Sequence, residues 1–163
     1  MSHRAYISIG SNIEPAENVR LAVNVLQNVF GQMDVSPVYE SEAVGFKGDN
    51  FYNLVVAVST DMSVGEINQC LHDIEDQHGR ERNGPRFSSR SIDLDLLLYD
   101  DLCGEYDGIL LPREEIPHHA HVLCPLADLI PSKVHPDLNK SYQELWQEFL
   151  VPKGFQKIEF VFD

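Results

Sequence analysis

An α+β sandwich of the ferredoxin-like kind, with a mainly antiparallel sheet and helices packed on it, is the fold class that this 163-residue sequence predicts. Three observations predict it. Two segments carry apolar residues at helical spacing, the stretches around them alternate as strands do, and the order reads strand, helix, strand, strand, helix, strand. A short helical tail and one more strand follow. No internal repeat, low-complexity tract or linker interrupts the chain, so residues 1–163 are expected to form one domain. That length buries close to 70% of the unfolded surface.

The first strand covers Ala5 to Ile9, with Tyr6 and Ser8 alternating against Ile7 and Ile9, and it ends in the turn Gly10-Ser11-Asn12. A helix starts near Pro15, a favoured first-turn residue. Its stripe is Val19, Ala22, Val23, Leu26, Val29 and Phe30, and Gly31 stops it. A second strand is expected over Met33 to Ser41 and a third over Phe51 to Thr60, the latter built on Leu54-Val55-Val56-Ala57-Val58. Residues 42–50 between them carry two glycines and read as a binding loop. The second helix opens with the capping box Ser63-x-x-Glu66, buries Ile67, Leu71 and Ile74, and ends at Gly79. Glu75 sits near its C-terminus, where a carboxylate gains nothing from the helix dipole, a hint that it is kept for a ligand. After Asp100, Leu110-Leu111-Pro112-Arg113 and Val122-Leu123-Cys124-Pro125-Leu126 are broken by proline and predict short irregular elements over the end of the sheet. Ser141-x-x-Glu144 caps a short helix through Trp146 and Phe149, and Phe155 to Phe162 reads as a last strand.

The chemistry is concentrated between Arg80 and Asp100. Arg80, Arg82, Arg86 and Arg90 fall within eleven residues, although the whole chain has only seven arginines and a net charge of −14. Behind them, Ile92, Leu94, Leu96 and Leu98 alternate with Asp93, Asp95, Leu97 and Tyr99, which is a strand. Residues two apart on a strand share a face at roughly 6.6 Å, so Asp93 and Asp95 sit side by side and repel unless a cation lies between them. Mg²⁺ suits such a pair, because it takes one or two carboxylates together with phosphate oxygens and water. Arginine forks suit the phosphates. Asp-x-Asp alone also fits the solvated face of an edge strand; the combination points to phosphoryl transfer from a magnesium-bound nucleotide.

Composition removes other classes. The acidic balance argues against nucleic acid or an anionic membrane as a partner, whereas ATP needs only the local arginines. Cys70, Cys103 and Cys124 are odd in number and widely spaced, so buried reduced thiols are expected rather than a disulfide framework. No signal peptide or long apolar run is read in the chain, and a cytoplasmic protein is expected. Oligomeric state is not legible. The glycine turn after the first strand carries neither a dinucleotide fingerprint nor a Walker sequence. His118, His119 and His121 form H-H-x-H on an irregular segment with no cysteine or glutamate at zinc-site spacing, which favours a surface or nucleotide-facing role over a metal site.

With these residues the chain resembles the 6-hydroxymethyl-7,8-dihydropterin pyrophosphokinases of folate biosynthesis. The resemblance runs from the opening strand to about Pro131. It rests on Ile9-Gly10-Ser11-Asn12, Phe51-Tyr52-Asn53, Glu75 with Gly79-Arg80-x-Arg82, the block Arg90-Ser91-Ile92-Asp93-Leu94-Asp95-Leu96-Leu97-Leu98-Tyr99, and Pro125-Leu126-Ala127-Asp128-Leu129-Ile130-Pro131. It implies transfer of the β,γ-diphosphate of ATP to the pterin hydroxymethyl oxygen, with release of AMP. By the same resemblance Asp93 and Asp95 hold two Mg²⁺ ions, and Arg80 and Arg90 engage the phosphates. His72, Glu75 and Arg82 contact the nucleotide; Asn53 reads the pterin edge, with Ser41 to Val44 lending backbone groups and Phe51 an aromatic wall. Phe87 stands where the family usually has Trp, in the loop over the nucleotide. A gapless count from Asp95 to Pro125 puts Arg113 at a usual histidine, His119 at a usual arginine, and His121 at the phenylalanine that sandwiches the pterin. Arg113 or Arg86 is a candidate to replace the charge lost at His119, and the His121 ring can still stack. Aligning Pro117-His118 with the family's Pro-His pair instead requires a deletion, so the gapless count is preferred. The competing expectations are a non-catalytic pterin- or nucleotide-binding paralogue and a ferredoxin-like assembly module, the latter leaving the aspartates and arginines without a task.

Overall fold

The computed structural model describes residues 2–42, 50–78 and 92–162. Val44, Arg80, Arg82, Phe87 and Arg90 of the expected site, and Arg86 of the same cluster, lie outside those residues.

The chain runs β1 (His3–Ser11), α1 (Pro15–Phe30), β2 (Met33–Val35), β3 (Val38–Ser41), β4 (Phe51–Thr60), α2 (Val64–Gln77) and β5 (Asp93–Tyr99). A small hairpin, β6 (Gly104–Tyr106) with β7 (Ile109–Leu111), then leads to α3 (Ala120–Leu129), α4 (Tyr142–Gln147) and β8 (Gln156–Ile158). The main sheet has the order β5-β1-β4-β3-β8, with β2 also paired to β4, and its pairings are antiparallel. This is the ferredoxin-like order predicted from the sequence.

The sheet separates two cores. On one face Ile7, Ile9, Leu54, Val56, Val58, Leu94 and Leu96 meet Val19, Ala22, Val23 and Leu26 of α1 and Ile67, Leu71 and Ile74 of α2. On the other, Tyr6, Val55, Ala57, Leu97 and Leu98 meet Val122, Leu123, Leu126 and Ala127 of α3 and Tyr142 of α4. Both helices of the first layer are bounded as their sequences demand. The amide of Gly31, at φ 80°, donates to Gln27 O, and Ser63 with Glu66 closes a complete capping box on α2. The hairpin adds to that cap, because Asp107 accepts from the Gly65 amide at 2.9 Å. A side chain at Gly65 would meet Asp107 at 3.1 Å, so Asp107 would have to give slightly to admit one.

Two strands depart from the expected pattern by one residue each. The stretch expected as one strand over Met33 to Ser41 is split into β2 and β3. Ser36 Oγ accepts from the Val55 amide while Ser36 N donates to Val55 O, and Pro37 has no N–H to give. The register on β4 therefore shifts by one, which keeps both Val35 and Val38 on the α1 and α2 side. In β5 the alternation predicted for residues 92–99 holds only to Leu96. A bulge against Tyr6 and Ile7 inserts Leu97, so Leu97 and Leu98 both pack toward α3 and Tyr99 returns to the first core.

The chain after Asp100 is more regular than expected. Residues 120–129 form a helix rather than an irregular piece, despite Pro125 inside it. Burial of Ala120, Val122, Leu123, Cys124, Leu126 and Ala127 outweighs the roughly 3 kcal/mol an interior proline costs. Tyr39 anchors this helix by donating its hydroxyl to Asp128, and burial first, then Asp128, holds the phenol protonated. Conversely, the strand expected over Phe155 to Phe162 is only Gln156–Ile158, the length that four-residue β3 can pair. Beyond it Phe160 lies edge-on to Tyr52 and under the Arg20 guanidinium. The expectation of buried thiols holds for Cys124, is partial for Cys70, and fails for exposed Cys103.

Glu75 is 1% exposed, and its carboxylate accepts from the Leu94 amide at 2.9 Å. It thus satisfies a backbone donor of the edge strand β5 between the two aspartates. Glu75→Leu is expected to lower the unfolding free energy by about 1–3 kcal/mol, since it leaves that buried N–H unpaired, while Glu75→Gln keeps an acceptor and loses less. Urea unfolding of both variants measures the difference; equal losses would remove this role from the carboxylate.

Candidate active site

Antiparallel register builds the site as a row across the sheet. Asp93 of β5 stands opposite Gly10 of β1, Gly10 opposite Asn53 of β4, and Asn53 opposite Tyr39 of β3. One step along, Asp95 stands opposite Ser8, and Ser8 opposite Val55. Directly opposed residues point to the same face. Leu54 and Leu94 face the α1 and α2 core, so Asp93, Asp95, Asn53, Phe51, Tyr39 and Ser41 all project from the α3 side. Val55, on the same face, is already under α3, which places the aspartates and the amide beside the helix layer.

The bulge in β5 brings one cation, Arg113, to the aspartates. Inserting Leu97 frees backbone carbonyls from the ladder, and Arg113 takes them. Its amide donates to Leu97 O at 3.1 Å and its Nε to Leu96 O at 2.9 Å. The guanidinium then reaches 3.7 Å from the Asp95 carboxylate. Asp95 retains 52% side-chain exposure in this pair, open enough to accept a further ligand.

Asn53 is 8% exposed and its Nδ2 donates to Ser41 Oγ at 3.1 Å. That bond fixes which end of the amide faces each way, and it links the two residues expected at the pterin edge. Phe51 is half-buried in the same row as Ser41. His72 lies half-buried on α2, one turn before Glu75. His119 precedes the first turn of α3, its ring 5.2 Å from that of His121. Burial first, and the neighbouring His119 second, push the His121 imidazole down to about 4, so this ring is neutral at ordinary pH.

The structure thus joins Asp93, Asp95, Arg113, Asn53, Ser41 and Phe51 on one face, while His119 and His121 pair with each other at the start of α3. Asp93 and Asp95 offer two carboxylate oxygen donors side by side, the set a hard divalent cation takes when phosphates complete its shell. Among the described residues no group of three or more His, Cys, Asp or Glu could hold a metal, which sets this pair apart from an all-protein cage. Sequence reasoning missed the Tyr39 to Asp128 bond that seats α3 beside the site. Its only trace was Asp128 within the Pro125 to Pro131 motif. A cavity of about 390 Å³ lined by Arg4, Phe30, Met33, Asp34 and Ser59 lies at the other end of β1 and β4; its arginine is already paired with Asp34.

Comparison with known proteins identifies the family. The family model of 7,8-dihydro-6-hydroxymethylpterin-pyrophosphokinase matches residues 6–131. The chain is 34% identical to the 2-amino-4-hydroxy-6-hydroxymethyldihydropteridine pyrophosphokinase of Pseudomonas aeruginosa over 146 residues, 84% of this chain and 86% of that protein. It is 35% identical to the folic acid synthesis protein fol1 of Schizosaccharomyces pombe, covering 86% of this chain but only 20% of that longer protein. The crystal structure of Plasmodium falciparum HPPK-DHPS with pteroate superposes with a TM-score of 0.69 at 14% identity, over 91% of this chain and 42% of that one, a likeness of fold. No helix among the described residues is long and apolar enough to cross a membrane. Matched along most of its length by the family model and by relatives of similar size, the chain belongs to the 7,8-dihydro-6-hydroxymethylpterin-pyrophosphokinase family.

Proposed function

We propose that this chain is an active pyrophosphokinase that transfers diphosphate from ATP to the hydroxymethyl group of 6-hydroxymethyl-7,8-dihydropterin, releasing AMP, in the cytoplasm. The hydroxymethyl oxygen forms a bond to the β-phosphorus as the bond from that phosphorus to the α,β-bridging oxygen breaks, and the hydroxyl proton is released to water. The observation that carries the reading is the single row in which the Asp93 carboxylate and the Asn53 amide share a face two strands apart, roughly 10 Å at ordinary strand spacing. That span suits a bicyclic ring held at one end and attacked at the other.

Asp93 and Asp95 would hold two Mg²⁺ ions in this reading, which would supply positive charge against the polyphosphate oxygens. Positioning and electrostatics then carry the reaction, with no covalent nucleophile from the protein. Arg113, braced by two β5 carbonyls, orients the Asp95 carboxylate and adds positive charge on the phosphate side. By their match to the family pattern Arg80, Arg82 and Arg90 take the phosphates, Phe87 covers the nucleotide, and His72 and His119 contact it; Glu75, expected there too, is buried and supports β5 through Leu94 N. Asn53, held by Ser41, reads the pterin edge with Phe51 beside it, and Val44 is assigned to the pterin by its match to the family pattern. His121, neutral through desolvation, can stack on the ring without adding charge.

Asp95→Ala is expected to reduce pterin-dependent AMP release by at least a hundredfold, on the order of a lost metal or electrostatic contact. Its stability should stay within about 0.5 kcal/mol of the parent, as for an exposed site. Normal turnover in this variant would reject the metal assignment, and binding of both substrates by the parent with no AMP would favour the binding paralogue. Arg113→Lys loses the Nε bond to Leu96 O, so a stability loss of about 1 kcal/mol is expected together with lower kcat; unchanged unfolding would show that the brace is dispensable. For His121, the folded value of about 4 lies below the ordinary 6.5. Stability tied to the neutral ring is therefore present above about 6.5 and lost as pH falls toward 4. His121→Phe should flatten that part of the stability profile measured by urea unfolding, and a profile parallel to the parent would contradict it.

A further inference from the structure

We infer that Gly10 is a positioning residue for the pterin: its missing side chain is the space into which the Asn53 amide turns. The inference rests on the reading of Asn53 as the pterin contact. Gly10 lies inside the central strand, opposite Asp93 on one side and Asn53 on the other, where glycine weakens a sheet and commonly marks a close approach. A Cβ built at Gly10 would lie 2.7 Å from Asn53 Oδ1, 3.8 Å from its Cγ and 4.0 Å from Phe51 Cδ1. The first of these is too short for any real carbon–oxygen contact.

Asn53 has little choice about where that oxygen goes. Its Nδ2 donates to Ser41 Oγ and the residue is 8% exposed. Gly10 on one side and Ser41 on the other therefore set the plane of the amide between them. Unlike Gly31, Gly104, Gly108 and Gly154, Gly10 has no positive φ, so backbone conformation does not demand glycine. Only the neighbouring amide does.

These facts predict an unusual variant. In Gly10→Ala the backbone is already compatible with a side chain, and the atom in the way is the end of the Asn53 side chain rather than main chain. The protein should fold, the amide should swing aside, and pterin recognition should suffer. The test is a double-mutant cycle of Gly10→Ala and Asn53→Ala, with steady-state AMP release measured against 6-hydroxymethyl-7,8-dihydropterin and against Mg–ATP, and thermal unfolding recorded for all four proteins. Gly10→Ala alone should raise KM for the pterin about tenfold, the loss expected for one or two neutral hydrogen bonds, while KM for ATP stays near the parent value. In the Asn53→Ala background, Gly10→Ala should change pterin KM less than twofold, because the atom it displaces is gone. A pterin KM unchanged in Gly10→Ala, or a tenfold rise that persists without the Asn53 amide, overturns the inference while leaving Asn53 as the contact. A pterin KM unchanged in Asn53→Ala overturns both.

Discussion

β1 is paired on both sides, to β5 and to β4, and those two registers define how Asp93, Asp95 and Asn53 stand relative to one another. Side chains alternate along a strand, so a slip of one residue on either side would exchange core for surface. Asp93 and Asp95 would turn into the apolar layer of α1 and α2, and Leu94 and Leu96 would face the site. The registers are held by what such a slip would bury: Ile7 and Ile9 are fully enclosed between Leu54 and Val56 on one side and Leu94 and Leu96 on the other. Packing on one face of the sheet thus fixes chemistry on the other.

The elements outside the βαββαβ unit serve the same end. α3 covers the part of the face that carries Val55 and Ala57. Tyr39, opposite Asn53 in that row, holds the helix through Asp128. On the edge strand β5, Glu75 satisfies Leu94 N and Arg113 satisfies the carbonyls at the bulge. Three backbone groups of the strand bearing the two aspartates are thereby paired beyond its ladder with β1, and a rigid strand is a better base for metal ligands than a loop. Arg113 also couples this brace to the chemistry, because the guanidinium fixed by Leu96 O is the one facing Asp95.

Much of this was legible in the sequence, and what was not has identifiable physical causes. The paired aspartates, the capping box at Ser63 and the Val19, Ala22, Val23 and Leu26 stripe of α1 all depend on spacing within one segment, so they could be read directly; Val29, expected in that stripe, is 41% exposed near the end of the helix. The one-residue insertions at Ser36 and at Leu97 could not, because a bulge is a relation between two strands and an apolar residue such as Leu97 suits either face. α3 was missed because it is apolar nearly all round, as a helix buried between two layers must be, so no stripe stood out and Pro125 suggested a break. β8 was overextended because the sequence does not reveal that its partner, β3, is only four residues long. Glu75 was noticed for its unfavourable place on the helix, but its acceptance from Leu94 N depends on tertiary packing that the sequence does not display.

The central claim is that Asp93 and Asp95 hold the metal of a bound nucleotide. It is tested most directly by adding Mn²⁺ with α,β-methylene-ATP, which cannot release AMP, and following paramagnetic broadening of assigned backbone amides. Broadening centred on Asp93, Leu94 and Asp95, reaching Gly10 and Asn53 and fading toward Arg4 and Ser59, is the predicted result. Broadening centred elsewhere, or left unchanged in position by replacing both aspartates with asparagine, would contradict the account.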